Sequence, residues 1–194
     1  MRMPGVVRNK PQFSSLGCPA YSYPLDKDSD YYELPDSKDL TEFPVETEFG
    51  VLNYIKLHGS LNFRKWDGFN ESQMVIGGAK KEAINKEPLL KEYFRIFEDV
   101  LNSGQTKLLV LGYSFRDRHV NEILEKVIQK GAKIYVVDPS ALSAMKTHMG
   151  GNGASKVWEN MSGYFPYKML DLFRHNGEPT AAWKQLLSSY FEVA

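Results

Sequence analysis

The sequence predicts an α/β fold, a parallel sheet flanked by helices, and three observations carry that prediction. "KLLVLG" (107–112) and "KIYVVD" (133–138) are almost wholly apolar runs, the pattern of parallel strands buried on both faces. Between them Val120, Ile123, Leu124, Val127 and Ile128 recur at helical spacing. Strand, helix and strand then follow one another within 32 residues, the length of a βαβ unit with a right-handed crossover. The strand at 107–112 is expected to be central in the sheet.

Residues 1–50 read differently from the rest. They hold six of the ten prolines, and between Asp26 and Glu48 nine acids face two lysines, a local net of −7. Proline and acid density of this kind predicts an irregular extension, ahead of an α/β domain over 51–194. From Val51 the pattern becomes regular. "VLNYIKL" (51–57) reads as a strand that delivers His58 to its carboxyl end, with Gly59 directly behind. "QMVIGG" (73–78) reads as a short strand closed by two glycines. "EPLLKEYFRIFEDVLN" (87–102) predicts a helix with Pro88 in its first turn and an apolar face of Leu89, Leu90, Tyr93, Phe94, Phe97, Val100 and Leu101. In the βαβ unit, Ser114 and Asp117 have the S-x-x-D spacing of an acidic capping pair, and Gly131 is a natural helix stop. "MGGNGASK" (149–156) lacks the spacing of a P-loop and reads as a flexible surface loop. "AAWKQLLSSYFE" (181–192) predicts a closing amphipathic helix with Trp183, Leu186, Leu187, Tyr190 and Phe191 inward.

Bulk properties exclude several classes. The formal net charge is zero over 194 residues, which argues against broad phosphate-backbone binding to nucleic acid. No apolar run approaches the ~20 residues of a membrane span, and "MRMPGVVRNKPQ" has no signal-peptide core. The single cysteine, Cys18, makes neither an intrachain disulfide nor a cysteine-rich zinc site. A cytoplasmic protein without a metal centre is the expectation.

In open α/β sheets, ligands bind beyond the carboxyl ends of the strands. His58, the Gly112-Tyr113-Ser114 turn and Asp138 are expected there, on one edge of the sheet. Gly112 permits a tight turn and a close backbone approach, the following helix offers backbone N–H groups to a phosphate, and Asp138 can accept hydrogen bonds from ribose hydroxyls. The same residues also have purely architectural readings. Ser114 can serve only as a cap, Asp138-Pro139 only as a turn, and His58 only as a packed side chain. As chemistry, an imidazole at a strand end beside a ribose can take a proton from a hydroxyl or a water. His119, His148 and His175 lack such a setting, the last two lying in polar, glycine-bearing surroundings.

"YIKLHGSLNF", "MVIGGAKK", "LLVLGYSFRDRHVNEIL" and "IYVVDP", in this order, resemble the sirtuin-like domains of bacterial proteins, many of them anti-phage defence effectors. The resemblance covers roughly residues 50–140. It implies a Rossmann-like fold that takes NAD or ADP-ribose. It implies His58 as catalytic base, and Gly112, Tyr113, Ser114, Asp117 and Asp138 as the cofactor-binding set, with Asp138 near the adenine ribose. Gly59 would let the chain turn away without crowding the cofactor. Deacetylase sirtuins share a zinc module of two cysteine pairs, which one cysteine cannot build, so NAD hydrolysis is the implied chemistry rather than peptide deacylation. The family's G-A-G-x-S loop and its T-x-N-Y-D-like segment do not occur before "LHGS". The chain is therefore expected to represent the carboxyl-terminal part of such a domain, a partial Rossmann-like sheet. Its activity is expected to need the amino-terminal half or a protein partner. A non-enzymatic remnant that binds a nucleotide or a protein is the alternative.

Overall fold

The computed structural model describes residues 32–34, 36–42, 45, 55–64, 72–103 and 106–191. The chain divides into two compact units, Met1–Phe97 and Glu98–Ala194.

In the first unit, β1 (Tyr32–Glu33) and α1 (Ser37–Glu42) precede β2 (Gly59–Arg64), β3 (Ser72–Met74), α2 (Lys80–Lys86) and most of α3 (Pro88–Leu101). The strands form one sheet in the order β1-β2-β3, with β1 parallel and β3 antiparallel to β2. Phe63 of β2 is fully buried among Leu34, Val45, Ile84, Leu89, Leu90, Tyr93 and Ile96. The amphipathic pattern of α3 thus buries Leu89, Leu90 and Tyr93 as its sequence predicts and adds Ile96, while Val100 is 48% exposed rather than inward.

The expected strand over 51–57 is corrected by the structure. Its residues 51–54 lie outside the described residues. Ile55 and Lys56 have no regular structure, Leu57 and His58 form a turn, and the strand begins only at Gly59. Ile55 and Leu57 pack against the core, so their apolar spacing records burial without a strand ladder. His58 precedes a strand and does not end one.

The second unit contains β4 (Lys107–Leu111), α4 (Arg118–Ile128), β5 (Lys133–Val137), α5 (Leu142–Gly151), α6 (Ser155–Asn160), β6 (Gly163–Phe165), α7 (Met169–Leu172) and α8 (Ala181–Tyr190). Its strands are all parallel in the order β4-β5-β6. The fold is therefore α/β, a Rossmann-like parallel sheet flanked by helices, as the apolar runs predict. Helix α4 ends as its glycine demands. Gly131 has φ +99°, its N–H donates to the Ile128 carbonyl, and the Ala132 N–H reaches back to Val127, the left-handed C-terminal motif that glycine adopts without strain. On β5 every residue after Lys133 is buried. Tyr135 packs its ring against Tyr190 and Phe191, and Val137 joins Leu172 and Leu186 in a core with Leu109, Phe165 and Trp183. Period-two alternation turns Ile134 and Val136 to the opposite face.

Two further expectations change. Among the described residues β5, not β4, is the middle strand. β6 is only three residues long, too short for its alternation to signal a strand, yet it pairs on the far side of β5. Accordingly Leu108 and Leu109 are half-buried and Leu111 is exposed. The glycine-rich 149–156 segment is not a flexible surface loop. Met149, Gly150 and Gly151 finish α5, Met149 and Ala154 are fully buried, and the Ala154 N–H donates to the Met149 carbonyl.

Candidate functional site

The register of the parallel pair builds the site. Leu111 pairs with Val137, so Gly112 and Asp138 leave adjacent strands side by side at the carboxyl edge of the sheet, where strand separation is ~4.8 Å. Gly112 has φ +62°, a conformation that glycine enters freely and other residues rarely adopt.

The chain does not enter α4 at once. Phe115 is fully buried with φ +53°, a left-handed conformation that breaks any right-handed helix starting at Ser114. The N-cap position falls instead to Asp117, whose backbone is extended and whose side chain makes no cap hydrogen bond. The capping pair expected from the S-x-x-D spacing does not form, and Ser114 stands exposed in the turn.

Side chains hold the turn from beneath. Asn121, fully buried in the first part of α4, donates from Nδ2 to the Phe115 carbonyl at 2.8 Å and to the Asn152 carbonyl at 2.9 Å. The Tyr113 hydroxyl lies 3.0 Å from Asn121 Oδ1 and 3.1 Å from the Asp117 carbonyl, two acceptors that share one phenolic proton. The Tyr113 and Phe115 rings meet at 4.8 Å. Burial, reinforced by the charge of Asp117, pushes the Tyr113 phenol well above its ordinary range, so it remains a donor. His148 of α5 donates from Nε2 to the Ser114 carbonyl at 2.5 Å. The sequence reading set His148 aside. The structure gives it a contact with the turn.

Asp138 is half-buried, and its Oδ1 accepts from the Ser140 N–H at 2.8 Å, closing a turn over Pro139. The architectural reading of Asp138-Pro139 is thus realised in one carboxylate oxygen. Tyr164 fixes the same turn, its hydroxyl 2.8 Å from the Ser140 carbonyl and 3.1 Å from that of Asp138. Burial first, and then the Asp138 charge, raise the Tyr164 phenol as well.

Gly112, Tyr113, Ser114, Asp117 and Asp138 therefore share one edge of the second unit. His58 belongs to the first unit. It is half-buried in the turn before β2, its ring edge-on to Phe94 at 6.2 Å, and its carbonyl accepts from the Val75 N–H at 2.8 Å. Lys56 Nζ donates to Ser60 Oγ across the turn at 2.8 Å. The crowding that requires Gly59 comes from the protein itself. With φ +73°, any Cβ there would run into the Gln73 carbonyl of β3.

Asn121, His148 and Tyr164 were missed by sequence reasoning. A signal existed for Asn121 alone. It stands in register with Leu124 and Ile128 on the buried stripe of α4, a polar residue where helical spacing calls for an apolar one.

Comparison with curated proteins gives no match, and comparison with solved structures gives none. A family model described as a SIR2-like domain matches residues 26–161, well over half of the chain and all of the elements from β1 to α6. The β4 and β5 strands of the parallel sheet, the glycine turn after β4 and the acid after β5 lie within that match, and the chain belongs to the SIR2-like domain family of sirtuin-like, NAD-related domains.

Proposed function

We propose that the carboxyl edge of the second unit binds the ADP-ribose portion of NAD. The Gly112–Asp117 turn would face the phosphates, and Asp138 would accept hydrogen bonds from the adenine ribose. One observation carries this reading: parallel register sets a glycine turn beside an acid whose position is already fixed by Ser140 and Tyr164. An acid held in place before a ligand arrives loses little side-chain freedom on binding. Family membership supports NAD as the ligand.

NAD hydrolysis is the reaction we assign to the assembled domain, with anti-phage defence as its setting and the cytoplasmic NAD pool as its substrate. His58 would take a proton from a ribose hydroxyl or from the attacking water. Cleaving the nicotinamide–ribose bond also needs the ligand gripped in a reactive pose, and positioning contributes ~7–11 kcal/mol of barrier reduction. The sequence holds no G-A-G-x-S loop and no T-x-N-Y-D segment. For residues 1–194 on their own, this favours nucleotide binding without turnover.

The test has two parts. ADP-ribose or NAD at millimolar concentration should raise the melting temperature, as linkage requires of a native-state ligand, and Asp138→Ala should shrink that rise. Nicotinamide release by residues 1–194 should be negligible. It should appear when a segment bearing the glycine loop is supplied in cis or by a partner, and His58→Ala should then abolish it. No thermal shift with either ligand sinks the binding reading. Turnover that survives His58→Ala sinks the assignment of the base.

A further inference from the structure

We propose that Asn121 is the positioning residue of the ligand turn: through the Phe115 carbonyl it orients the following peptide so that the Arg116 N–H faces an incoming phosphate. This rests on the reading that an ADP-ribose-type ligand binds at this edge.

Asn121 is fully buried in a helix, a setting in which an amide is costly unless every polar position is partnered. Both N–H groups and the carbonyl are satisfied, and none of these bonds serves the helix itself. All three run outward, to Tyr113, to Phe115 and to Asn152. Two of the three partners lie in the turn. Phe115 meanwhile holds φ +53°, a state that L-residues rarely adopt and that persists only when its surroundings over-determine it. Asn121 supplies that determination at the Phe115 carbonyl, and His148 supplies it one residue earlier, at the Ser114 carbonyl.

The consequence follows from planarity. In a trans peptide, C=O and N–H point in opposite directions. With the Phe115 carbonyl drawn toward α4, the N–H of Arg116, an exposed residue, points away from that clasp. A backbone N–H presented in this way by a turn donates to phosphate oxygens. The chemistry recognised is a pyrophosphate, and Asn121 acts on it only through the turn.

The experiment is titration of the full chain with ADP-ribose, adenosine and inorganic pyrophosphate, in wild type and in Asn121→Asp. That variant keeps shape and Oδ1 but loses both donors. Asn121→Asp should weaken ADP-ribose and pyrophosphate about tenfold and leave adenosine unchanged, because only the phosphates meet the turn. Where Asn121→Asp fails to fold, Tyr113→Phe and His148→Ala carry the same comparison, each removing one bond, with a loss of about threefold expected for the two phosphate ligands. Loss of ADP-ribose and adenosine in equal measure would mark Asn121 as merely structural and overturn the proposal. So would unchanged ADP-ribose affinity in Asn121→Asp where the wild type binds it, which leaves the nucleotide reading standing. Wild-type binding of neither ADP-ribose nor pyrophosphate overturns both.

Discussion

The turn before β2 and the turn after β4 each carry candidate chemistry, and a different kind of bond is prominent in each. Around His58, backbone bonds run from the Gly59 N–H to the Lys56 carbonyl and from the Val75 N–H to the His58 carbonyl, beside a side-chain bond from Lys56 Nζ to Ser60 Oγ. The turn from Gly112 to Asp117 is held by the side chains of Asn121, Tyr113 and His148. A bond between backbone groups survives most substitutions that permit the dihedral angle it needs. A side-chain-held turn spreads its shape over several positions, each of which a single substitution can remove.

The largest effect should therefore come from the one residue the first turn cannot replace. Gly59→Ala must bear both a left-handed φ and a collision with the Gln73 carbonyl. It should cost about 3 kcal/mol, read as a lower urea midpoint at constant m-value. A cost below about 1 kcal/mol would show that β3 yields, and the contrast between the two turns would dissolve. Tyr113→Phe should cost less, about 1 kcal/mol for one removed hydrogen bond. It should also change the alkaline limb. The folded phenol titrates above its ordinary value of 10.0, so its neutral form is favoured in the fold. The resulting stability is complete below pH 10 and is lost as pH rises beyond it. Urea midpoints between pH 8 and 11 should thus fall less steeply in Tyr113→Phe than in wild type, and equal slopes would refute the linkage. Smallest of all is Ser114→Ala. Because Ser114 is exposed and does not cap α4, stability should change by less than about 0.5 kcal/mol. A loss of ~1 kcal/mol, the usual worth of an N-cap, would restore the cap that its spacing predicts.

Legibility divides along similar lines. The β4–α4–β5 unit, α3 and α8 were readable because each buries much of an apolar face, with Leu111, Val100 and Tyr190 left exposed, and burial leaves a period in the sequence. The first sheet was not. Ile55 and Leu57 look like strand residues because they pack on the core, while the strand itself runs from Gly59 to Arg64 with Leu61 exposed and Phe63 buried. β6 has three residues, and no period shows in three. The candidate site shows the same split. Gly112 and Asp138 were legible because the end of an apolar strand is visible in sequence. Asn121 left one sign, a polar residue on an apolar stripe, but its carbonyl partners and that of His148 carry no signature in the sequence. The helix start misled for a specific reason: Phe115 turns left-handed between Ser114 and Asp117, and nothing in "SFRD" announces it.

The bond from Asn121 to the Asn152 carbonyl spans 31 residues, and this gives the turn a place in the order of folding. A helix and its own capping turn close short loops and form early, whereas a contact of this separation waits on a longer closure. On a growing chain, β4, α4 and β5 can all have emerged while the clasp still lacks its last partner. The turn after β4 acquires its final shape only when the end of α5 docks, later than the βαβ unit that carries it.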